Sequence, residues 1–498
     1  MALIGIDIGT THCKAGLFKE NGEPLKISVV PTVTRYDEKH LPYFDHDEIW
    51  NGIITCLKDI TSTQTETISA IGITSMAETG LLIDKESKEA RTDFIPWFSR
   101  CAEEEAILLS REDNPFNRFQ KTGLHNSYKY GLAKILWLKE QNERILNNAV
   151  WLSASDYIAF RLTGKFATDY SLAARTFAFR FDQKKWDKDW INHFGLSERI
   201  FPDAYPSGTI MGVTVPEIQS LINIPVGTPV AISGHDHVCA SLAVGAVKPG
   251  TVFDSIGTAE TLVGTLEERT LEKGDFEAGL SFGCHVVKNR MFWMGGIPSS
   301  GGSIEWFRNQ FADQQLSYES IMKLSSEKQA PTGILYYPYL SGSGAPKPDA
   351  VAKAAFIGLT SSHNRADMLR AMMEGTGYEL ESIRRKAEQV TNLPIHNMIA
   401  VGGGTKNRHW MQIKADITNC HIMIPNISEA TLLGAAITAG IGAGLYKDEI
   451  EAGSILADLQ INELSPLENN HRTYKRYYET GYIKLQESLR DYYHQIQL

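Results

Sequence analysis

The hydrophobic pattern at the start of the chain predicts three consecutive strands. Residues 2–8 are apolar except for Asp7, which is typical of a buried strand. A Gly-Thr-Thr turn follows and leads into a second predicted strand, Lys14–Phe18. Asn21-Gly22 predicts a tight hairpin turn, so Leu25–Val30 is expected to pair with the second strand.

Helical and strand-like spacings then alternate along the chain. Asp45 or Asp47 is placed to cap a helix whose apolar residues share one face: Ile49, Ile53, Leu57 and Ile60. Ala70–Ser75 predicts another buried strand, and Lys129–Gln141 has helical spacing. Strands that alternate with helices indicate the α/β class.

The pattern starts again near residue 250. Pro249-Gly250 interrupts the chain, and Thr251–Ile256 predicts a strand that is followed by Gly257-Thr258. Segments 6–11 (IDIGTT) and 254–259 (DSIGTA) therefore both place Ile-Gly-Thr after an apolar strand. This short match at the head of each half predicts two similar domains that face each other across a cleft, and such clefts are favoured ligand sites.

The length of 498 residues also favours at least two domains, because single cores stop growing near 250–300 residues. We predict an N-terminal domain over residues 1–247 and a C-terminal domain over 248–446. The second domain contains two predicted long helices, Asp367–Val390 and Glu429–Leu445. Residues 447–498 are expected to form a charged, helical C-terminal tail.

Composition excludes several classes of protein. The net charge is −10 and no basic block stands out, so no nucleic-acid partner is expected. The six cysteines contain no CxxC pair, which disfavours a zinc site or a disulfide framework and fits the cytoplasm. The N-terminus lacks a signal peptide, and the small-residue run Thr431–Tyr446 is too short for a membrane span. The oligomeric state stays open, a homodimer included.

Four glycine-containing segments each follow an apolar strand: GIDIGTTHCK (5–14), SGHDHVCA (233–240), DSIGTAET (254–261) and AVGGGTKN (400–407). Glycine lets the backbone approach a ligand, and the free N–H groups of such turns can cradle an anion. One such segment alone is more often an ordinary tight turn, but four together indicate phosphate binding. The sequence has no P-loop, no protein-kinase HRD or DFG element and no dehydrogenase GxGxxG.

These segments resemble a known family, the FGGY carbohydrate kinases. GIDIGTTHCK is similar to the first phosphate loop of the actin-like sugar kinases, DSIGTAET to the second, and residues 400–417 to the adenosine-binding segment. Shorter matches support this: KILWL (134–138), LSASDYIAFRLTGKFATDYS (152–171) and RAMMEG (370–375). The resemblance extends from residue 4 to about 446. It implies two actin-like (ribonuclease H-like) domains with a central cleft for ATP, Mg²⁺ and a sugar or polyol.

The resemblance assigns the two aspartates that matter most. Asp236 matches the catalytic base, which removes the proton from the attacking hydroxyl. Its alternative role is a helix N-cap, which is compatible with catalysis. Asp7 is implied to hold Mg²⁺ through water, and its alternative is a buried, hydrogen-bonded turn residue. His235 and His237 lack a third ligand for a metal and are expected to orient the loop or face solvent.

The resemblance also assigns the ATP-binding residues. The first phosphate loop contributes four of them, although the family often has serine at position 12. The second loop contributes two and the adenosine segment three. In chain order they are Thr10, Thr11, His12 and Lys14; Gly257 and Thr258; and Gly402, Gly403 and Asn407. The alternative for the glycines is tight packing alone.

The acceptor pocket matches the family less well. Glu78 matches the glutamate of a glycerol-kinase-like motif, although Ala77 stands where that motif has arginine. Trp97 matches a substrate-lining tryptophan, and Ser99 replaces a nearby aspartate. Lys129 lies where glycerol kinases have a substrate tyrosine, and a cation there suits an acidic or phosphorylated substrate. Alternatively, Glu78 is a solvated charge and Trp97 belongs to the core.

We therefore predict ATP-dependent phosphorylation of a hydroxyl on a small ketose, polyol or sugar acid. Two alternatives remain: an actin-like ATPase that acts as a switch, and a sugar sensor that has lost catalysis. An acceptor pocket needs Asp236, Glu78 and Trp97, whereas a switch does not. Retention of Asp7 together with Asp236 disfavours an inactive sensor. The sequence leaves the substrate and the phosphorylated hydroxyl open.

Overall fold

The computed structural model describes residues 1–62, 66–312, 314–328, 330–455 and 461–496. Its first half contains fourteen strands and nine α-helices within those ranges. The strands are β1 Ala2–Ile8, β2 His12–Lys19, β3 Pro24–Pro31, β4 Arg35–Tyr36, β5 Pro42–Tyr43, β6 Ile68–Ser75, β7 Gly80–Asp84, β8 Ala149–Ser153, β9 Ala167–Asp169, β10 Phe179–Arg180, β11 Lys185–Trp186, β12 Asp203–Tyr205, β13 Ile210–Val213 and β14 Pro229–His235. The helices are α1 His46–Thr61, α2 Glu103–Glu112, α3 Pro115–Thr122, α4 Gly131–Gln141, α5 Ala154–Thr163, α6 Tyr170–Ala174, α7 Lys188–His193, α8 Pro216–Leu221 and α9 Asp236–Ala243.

The main sheet of the first half has the strand order β13-β14-β6-β1-β2-β3. β1 pairs in parallel with β6, and β6 pairs in parallel with β14, whereas β2, β3 and β13 pair antiparallel with their neighbours. Every residue of β1 is buried, which fits a central strand covered on both faces. Because β1, β6 and β14 run in the same direction, their carboxyl ends lie at one edge of the sheet.

The second half repeats this arrangement. Its strands are β15 Thr251–Ile256, β16 Glu260–Glu267, β17 Ser281–Cys284, β18 Arg290–Ile297, β19 Leu335–Tyr337, β20 Ala355–Ile357, β21 Asn397–Val401, β22 His421–Pro425 and β23 Ile461–Leu464. Its helices are α10 Lys273–Glu277, α11 Gly301–Gln310, α12 Tyr318–Ser326, α13 Arg365–Thr391, α14 Arg408–Thr418, α15 Ala430–Gly442, α16 Glu449–Ile455, α17 Glu468–Tyr477 and α18 Ile483–Gln495.

The two main sheets share one topology. The second sheet has the order β17-β18-β16-β15-β21-β22-β23, so β18-β16-β15-β21-β22 corresponds to β3-β2-β1-β6-β14 of the first sheet. In both sheets, three antiparallel strands are extended by two further strands that run parallel to the first strand of that half, β1 or β15. The α/β class is confirmed, and the internal repeat suggested by two Ile-Gly-Thr segments is a repeat of whole sheets.

Helix α15 connects the two halves. It follows the last parallel strand of the second sheet, yet it packs against β1, β6 and β14 of the first sheet and against α9. Glycines allow this close approach. A Cβ atom on Gly5 would lie 2.0 Å from the carbonyl oxygen of Leu432, and one on Gly72 would lie 1.9 Å from that of Ala435. The first sheet and α15 are therefore in backbone contact.

Most predicted elements agree with the structure within a few residues. α1 begins after Asp45, whose side chain caps it by accepting a hydrogen bond from Glu48 N. The predicted helix Asp367–Val390 corresponds to α13, whose N-cap Asn364 forms a capping box with Asp367. The helix predicted from Lys129 begins only at Gly131, so Lys129 lies in the preceding loop.

The C-terminal tail, predicted to be helical, contains a strand in addition to α16, α17 and α18. Ile461–Leu464 forms β23, which pairs antiparallel with β22 at the edge of the second sheet. Tyr474, Tyr478 and Tyr482 are buried in a core cluster of the second half. A strand of four residues with only one buried side chain gives too weak a pattern to be recognised in the sequence. The described part of the C-terminal segment is thus integrated into the second half.

Among the described residues, no helix combines the length and the apolar character needed to cross a lipid bilayer.

The contact between α15 and α9 predicts a severe effect of one added methyl group. A Cβ atom on Gly434 would lie 2.0 Å from the carbonyl oxygen of Cys239, and helix backbone cannot move aside easily. We expect Gly434→Ala to lower the free energy of unfolding by about 2 kcal/mol or more, as overpacking does. Urea denaturation followed by circular dichroism measures this change.

Gly274 provides a matched control for this substitution. It lies in helix α10, and a Cβ atom there would meet no other atom within 4 Å. Gly274→Ala should leave stability unchanged or slightly raised, because alanine favours helix by up to about 1 kcal/mol. Equal denaturation midpoints for the two variants would contradict the close packing of α15 on α9.

Candidate active site

The carboxyl ends of three parallel strands bring the two predicted aspartates to one edge of the first sheet. Asp7 lies near the end of β1, directly opposite Thr74 of β6. Thr74 in turn lies opposite Gly234 of β14, and Asp236 begins helix α9 two residues later. Open α/β sheets bind ligands beyond the carboxyl ends of their strands. Sheet register therefore places Asp7 and Asp236 where a ligand is expected.

Asp236 occupies the first position of α9, and the N-cap residue is His235. One carboxylate oxygen, Oδ1, accepts a 2.7 Å hydrogen bond from the backbone N–H of His237. The Nδ1 atom of His235 lies 2.7 Å from the same oxygen. Burial alone would raise the pKa of Asp236, but the neighbouring imidazoles of His237 and His235 hold it below its usual range. Asp236 is therefore ionised and able to accept a proton.

Hydrogen bonds fix the strand end that carries Asp236. Gly234 has φ +105°, a conformation that favours glycine, and its carbonyl accepts a 2.6 Å hydrogen bond from Thr74 Oγ1. The N–H of His235 donates to Ser171 Oγ at 2.9 Å, and Ser171 Oγ donates to Asp169 Oδ2 at 2.9 Å. His235 is buried, so the alternative that it faces solvent is wrong for this residue, whereas His237 is partly exposed.

Asp7 is buried, and its Oδ1 atom has no hydrogen-bond partner among the described residues. Burial above all, together with the Asp236 and Glu429 carboxylates, raises its pKa to about 8, although the Lys14 ammonium acts in the opposite direction. An unpaired buried carboxylate beside a second one is costly, and a hard cation would relieve that cost. Magnesium prefers such oxygen ligands, so Asp7 fits a Mg²⁺ ion. Because Oδ1 has no partner among the described residues, Asp7 is not the fully hydrogen-bonded turn residue of the alternative.

Lys14 lies opposite Asp7 in the pairing of β1 with β2. Its ammonium group is 2.8 Å from Glu429 Oε2, and Glu429 directly precedes α15. This ion pair joins the first phosphate loop to the second half of the chain. Sequence reasoning missed Glu429, whose only signal is an acidic residue at the start of an Ala- and Gly-rich helix.

The first phosphate loop is an exposed turn between β1 and β2. Gly9 N–H donates to the carbonyl of His12 at 3.0 Å, which closes the turn. The side chains of Thr11 and His12 are exposed, and His12 Nδ1 is 3.1 Å from Thr11 Oγ1. Thr10 Oγ1 accepts a 3.0 Å hydrogen bond from Trp97 Nε1, so Trp97 lies directly beside this loop.

The second phosphate loop is exposed at the corresponding place in the second sheet. Gly257 and Thr258 follow β15, and their carbonyls accept hydrogen bonds from Gly301 N at 3.1 Å and Gly302 N at 2.9 Å. The loop is therefore joined to the first turn of α11. A buried pair lies behind it: Lys414 Nζ is 2.5 Å from Glu260 Oε1, a contact that sequence reasoning did not predict.

The adenosine segment lies next to the second phosphate loop. Gly402 has φ +95°, and a Cβ atom there would be 2.6 Å from the carbonyl oxygen of Ile256, the residue before Gly257. Gly402 and Gly403 are exposed, as a nucleotide-binding role requires. Asn407 differs: it is buried, and its side chain caps α14 by accepting a hydrogen bond from Trp410 N at 3.1 Å. Its observed role is structural.

Glu78 is held in a buried ion pair. Its side chain is 8% exposed, and Oε1 accepts a 2.8 Å hydrogen bond from Arg175 Nε. Burial raises its pKa, but the charges of Arg175 and Lys129 outweigh burial and lower it to about 2. Glu78 is therefore ionised, and the alternative of a solvated surface charge is wrong. Arg175 was not predicted, because ninety-seven residues separate it from Glu78.

Two other predicted acceptor residues are accessible. The Trp97 side chain is 41% exposed, so the alternative of a core tryptophan is wrong. Lys129 is 34% exposed, and its ammonium group lies 3.8 Å from Glu78 Oε1. Trp97 reaches the first phosphate loop and Lys129 reaches Glu78, so the acceptor side adjoins the phosphate side of the site.

Lys134 connects the two backbone segments that carry Glu78 and Trp97. It is fully buried, and its ammonium group donates to the carbonyls of Glu78 at 2.7 Å, Ile95 at 3.1 Å and Pro96 at 2.8 Å. Glu78 itself has φ +60°, an unusual conformation that needs support from its surroundings. Sequence reasoning missed Lys134 because it lies inside the apolar helix α4.

A cavity of about 930 Å³ lies between the two halves. Arg100 and Tyr128 line it from the first half, and Trp306, Tyr336 and Phe356 line it from the second. None of the predicted site residues lines this cavity. It adjoins the acceptor side through Tyr128, which precedes Lys129.

Two family models match most of the chain. The model for the FGGY family of carbohydrate kinases, N-terminal domain, matches residues 2–243, and the model for the C-terminal domain matches 254–443. The chain is 28% identical to the xylulose kinase of Bacillus subtilis (strain 168) over 89% of each protein. It is 27% identical to the gluconokinase of the same organism over 99% of this chain and 97% of that one.

A solved structure gives the same result for the fold. The ligand-bound xylulose kinase from Lactobacillus acidophilus superimposes with a TM-score of 0.91 at 22% identity, over 100% of both chains. The fold expected from the resemblance, two actin-like domains, is confirmed. Because the two family models together cover most of the sequence, the chain belongs to the FGGY family of carbohydrate kinases.

Proposed function

We propose that this carbohydrate kinase transfers the γ-phosphoryl group of Mg-ATP to a hydroxyl of a small ketose, polyol or sugar acid, with Asp236 as general base. The single observation that supports this most is the ionised, immobilised Asp236 carboxylate beside the buried Asp7 carboxylate. The first provides a proton acceptor, and the second fits the cation that accompanies ATP.

The chemical step follows from the position of Asp236. The acceptor hydroxyl loses its proton to a carboxylate oxygen of Asp236, and its oxygen forms a bond to the γ-phosphorus. The bond from that phosphorus to the bridging oxygen breaks, and ADP leaves with the electron pair. Asp7 would hold Mg²⁺, which would supply positive charge to neutralise the phosphates. Asp236 accepts a hydrogen bond from the N–H of His237, which fixes one carboxylate oxygen and holds the group in place.

The glycine loops provide the ATP site in this proposal. The first loop, exposed at Thr11 and His12, and the second loop, exposed at Gly257 and Thr258, would bind the β- and γ-phosphates. Lys14 adds a positive charge next to these phosphates. When ATP binds, the Lys14 ammonium group leaves Glu429 and contacts a phosphate oxygen instead. The exposed Gly402 and Gly403, with Thr10 of the first loop, complete the site, whereas Asn407 supports it through the α14 cap.

The acceptor binds between Trp97, Glu78 and Asp236 in this proposal. The relatives named xylulose kinase and gluconokinase are kinases of a ketose and of a sugar acid, so both classes stand as candidates. The six cysteines are free and five of them are buried, which supports a reducing cytoplasm as the location. An ATPase switch or an inactive sensor has less support, because neither needs an ionised Glu78 beside an exposed Trp97.

Replacement of Asp236 tests the proposed base. We expect Asp236→Asn to lower kcat by about 10² to 10⁴, the usual contribution of a general base, while ATP still binds. A coupled assay of ADP release across ketoses, polyols and sugar acids measures turnover, and calorimetry measures ATP binding. The control is Asp189→Asn, at an exposed position of α7. Turnover that survives in Asp236→Asn would exclude this residue as the base.

Replacement of Lys134 tests how the acceptor loops are held. Lys134→Met keeps the length of the side chain but removes the donor that three carbonyls share. We expect the KM for the acceptor to rise about tenfold, as loss of a charged hydrogen bond implies, and the KM for ATP to change much less. Equal increases in the two KM values would indicate general damage to the fold instead.

The pH dependence of acceptor binding gives a second test of Lys134. Burial above all, together with the charge of Lys129, lowers the pKa of Lys134 to about 7, although Cys101 and Glu78 act in the opposite direction. Above that pH the neutral amine has two N–H donors for three carbonyls, so the loops loosen. We expect the acceptor KM of the unmodified protein to rise as pH increases through about 7, and this rise to be absent in Lys134→Met. Identical KM profiles in the two proteins would contradict the assignment.

A further inference from the structure

The acceptor side of the site carries a positive charge that the proposed phosphoryl transfer does not use. Glu78 and Arg175 form a buried pair, with side chains 8% and 4% exposed, so each neutralises the other. Arg175 is already engaged through Nε and Nη2. The Lys129 ammonium is therefore an additional cation beside a pair that is electrically balanced.

Lys129 is available to a ligand. Its ammonium group is 3.8 Å from Glu78 Oε1, beyond hydrogen-bond distance, and it accounts for no side-chain hydrogen bond among the described residues. The other contact of the ammonium is the ring of Tyr130, whose centre is 5.6 Å away. A partly exposed lysine with three unused N–H donors beside a substrate site is suited to bind an anionic group.

We propose that the acceptor is an open-chain polyhydroxy carboxylate, an aldonate, whose carboxylate binds Lys129. This inference rests on the proposed kinase function and selects one substrate class within it. A neutral ketose or polyol would leave the Lys129 charge unused. An aldonate instead forms a charge-assisted hydrogen bond with Lys129, while its hydroxyls remain free to contact Glu78 and Asp236.

The same charges determine how an aldonate lies in the site. The Asp236 carboxylate, whose Oδ1 accepts a hydrogen bond from the His237 N–H, would repel a second carboxylate, so this end of the site favours a neutral hydroxyl. Lys129 attracts the carboxylate end, beside a Glu78 charge that Arg175 already compensates. The reacting hydroxyl is therefore one remote from the carboxylate. Phosphorus–proton correlation spectra of the product locate the phosphate and test this orientation directly.

The inference is tested with acid and alcohol pairs of equal chain length. Suitable pairs are D-gluconate with D-glucitol, D-xylonate with xylitol, and D-erythronate with erythritol. For the pair that is turned over, we expect the unmodified enzyme to favour the acid in kcat/KM by about 10- to 100-fold, the usual effect of one charged hydrogen bond. Added salt should lower this preference, because the contact is partly exposed.

Variants of Lys129 then identify the residue responsible. In Lys129→Met the ratio of kcat/KM between acid and alcohol should fall to about one, and Lys129→Arg should restore part of it because the charge returns. The matched control is Lys58→Met, an exposed lysine of α1 that should leave the ratio unchanged. If Lys129→Met fails to fold, the ratio in Lys129→Gln and the thermal stabilisation of the unmodified enzyme by gluconate and glucitol replace it.

The outcomes separate this inference from the proposed function. Turnover of ketoses or polyols that needs Asp236, without preference for any acid, overturns the aldonate assignment and leaves the kinase intact. An acid preference that persists in Lys129→Met also overturns the role of Lys129. Absence of turnover for every acid, alcohol and ketose would overturn both proposals. A preference that depends on Lys129 and on salt supports the inference.

Discussion

The close packing of helix α15 on the first sheet is the constraint on which the active site depends. Gly5 and Gly72 allow the backbone of α15 to touch the central strands, and no larger residue leaves room for that contact. Glu429 directly precedes α15, so this packing also determines where Glu429 lies. Glu429 in turn forms the ion pair with Lys14, which lies opposite Asp7. A helix from the second half thus completes the charge arrangement at the edge of the first sheet.

Two aspartates at this edge have opposite electrostatic properties because their surroundings differ. Asp236 is flanked by two imidazoles and a backbone N–H, so it stays ionised in spite of burial. Asp7 lacks a partner for Oδ1, and burial raises its pKa. Neighbouring carboxylates with pKa values shifted in opposite directions are a common property of catalytic sites. One group suits proton transfer and the other suits a cation.

The hydrophobic pattern was sufficient to predict the buried parallel strands and the candidate ligand-binding residues that follow them. Buried parallel strands give continuous apolar stretches, so β1, β6 and β15 could be recognised, and glycine-rich turns after them marked both phosphate loops. Sheet register explains why Asp7 and Asp236 then come together. β23 could not be recognised, because one buried residue in four gives no periodic signal. The role of Asn407 could not be predicted either, because a helix cap and a ligand contact use the same residue type.

The acceptor side was harder to predict because its charges are paired over long sequence distances. Glu78 alone is compatible with a solvated surface residue, and only Arg175, ninety-seven residues later, turns it into a buried ion. Lys134 has the spacing of a core position in α4, yet its charge is satisfied by carbonyls from two other segments. Neither pairing leaves a local pattern. Once both are known, Lys129 differs from Arg175 and Lys134 because its ammonium group lies 3.8 Å from Glu78 Oε1, beyond hydrogen-bond distance. This difference is the physical reason for proposing that Lys129 binds the substrate.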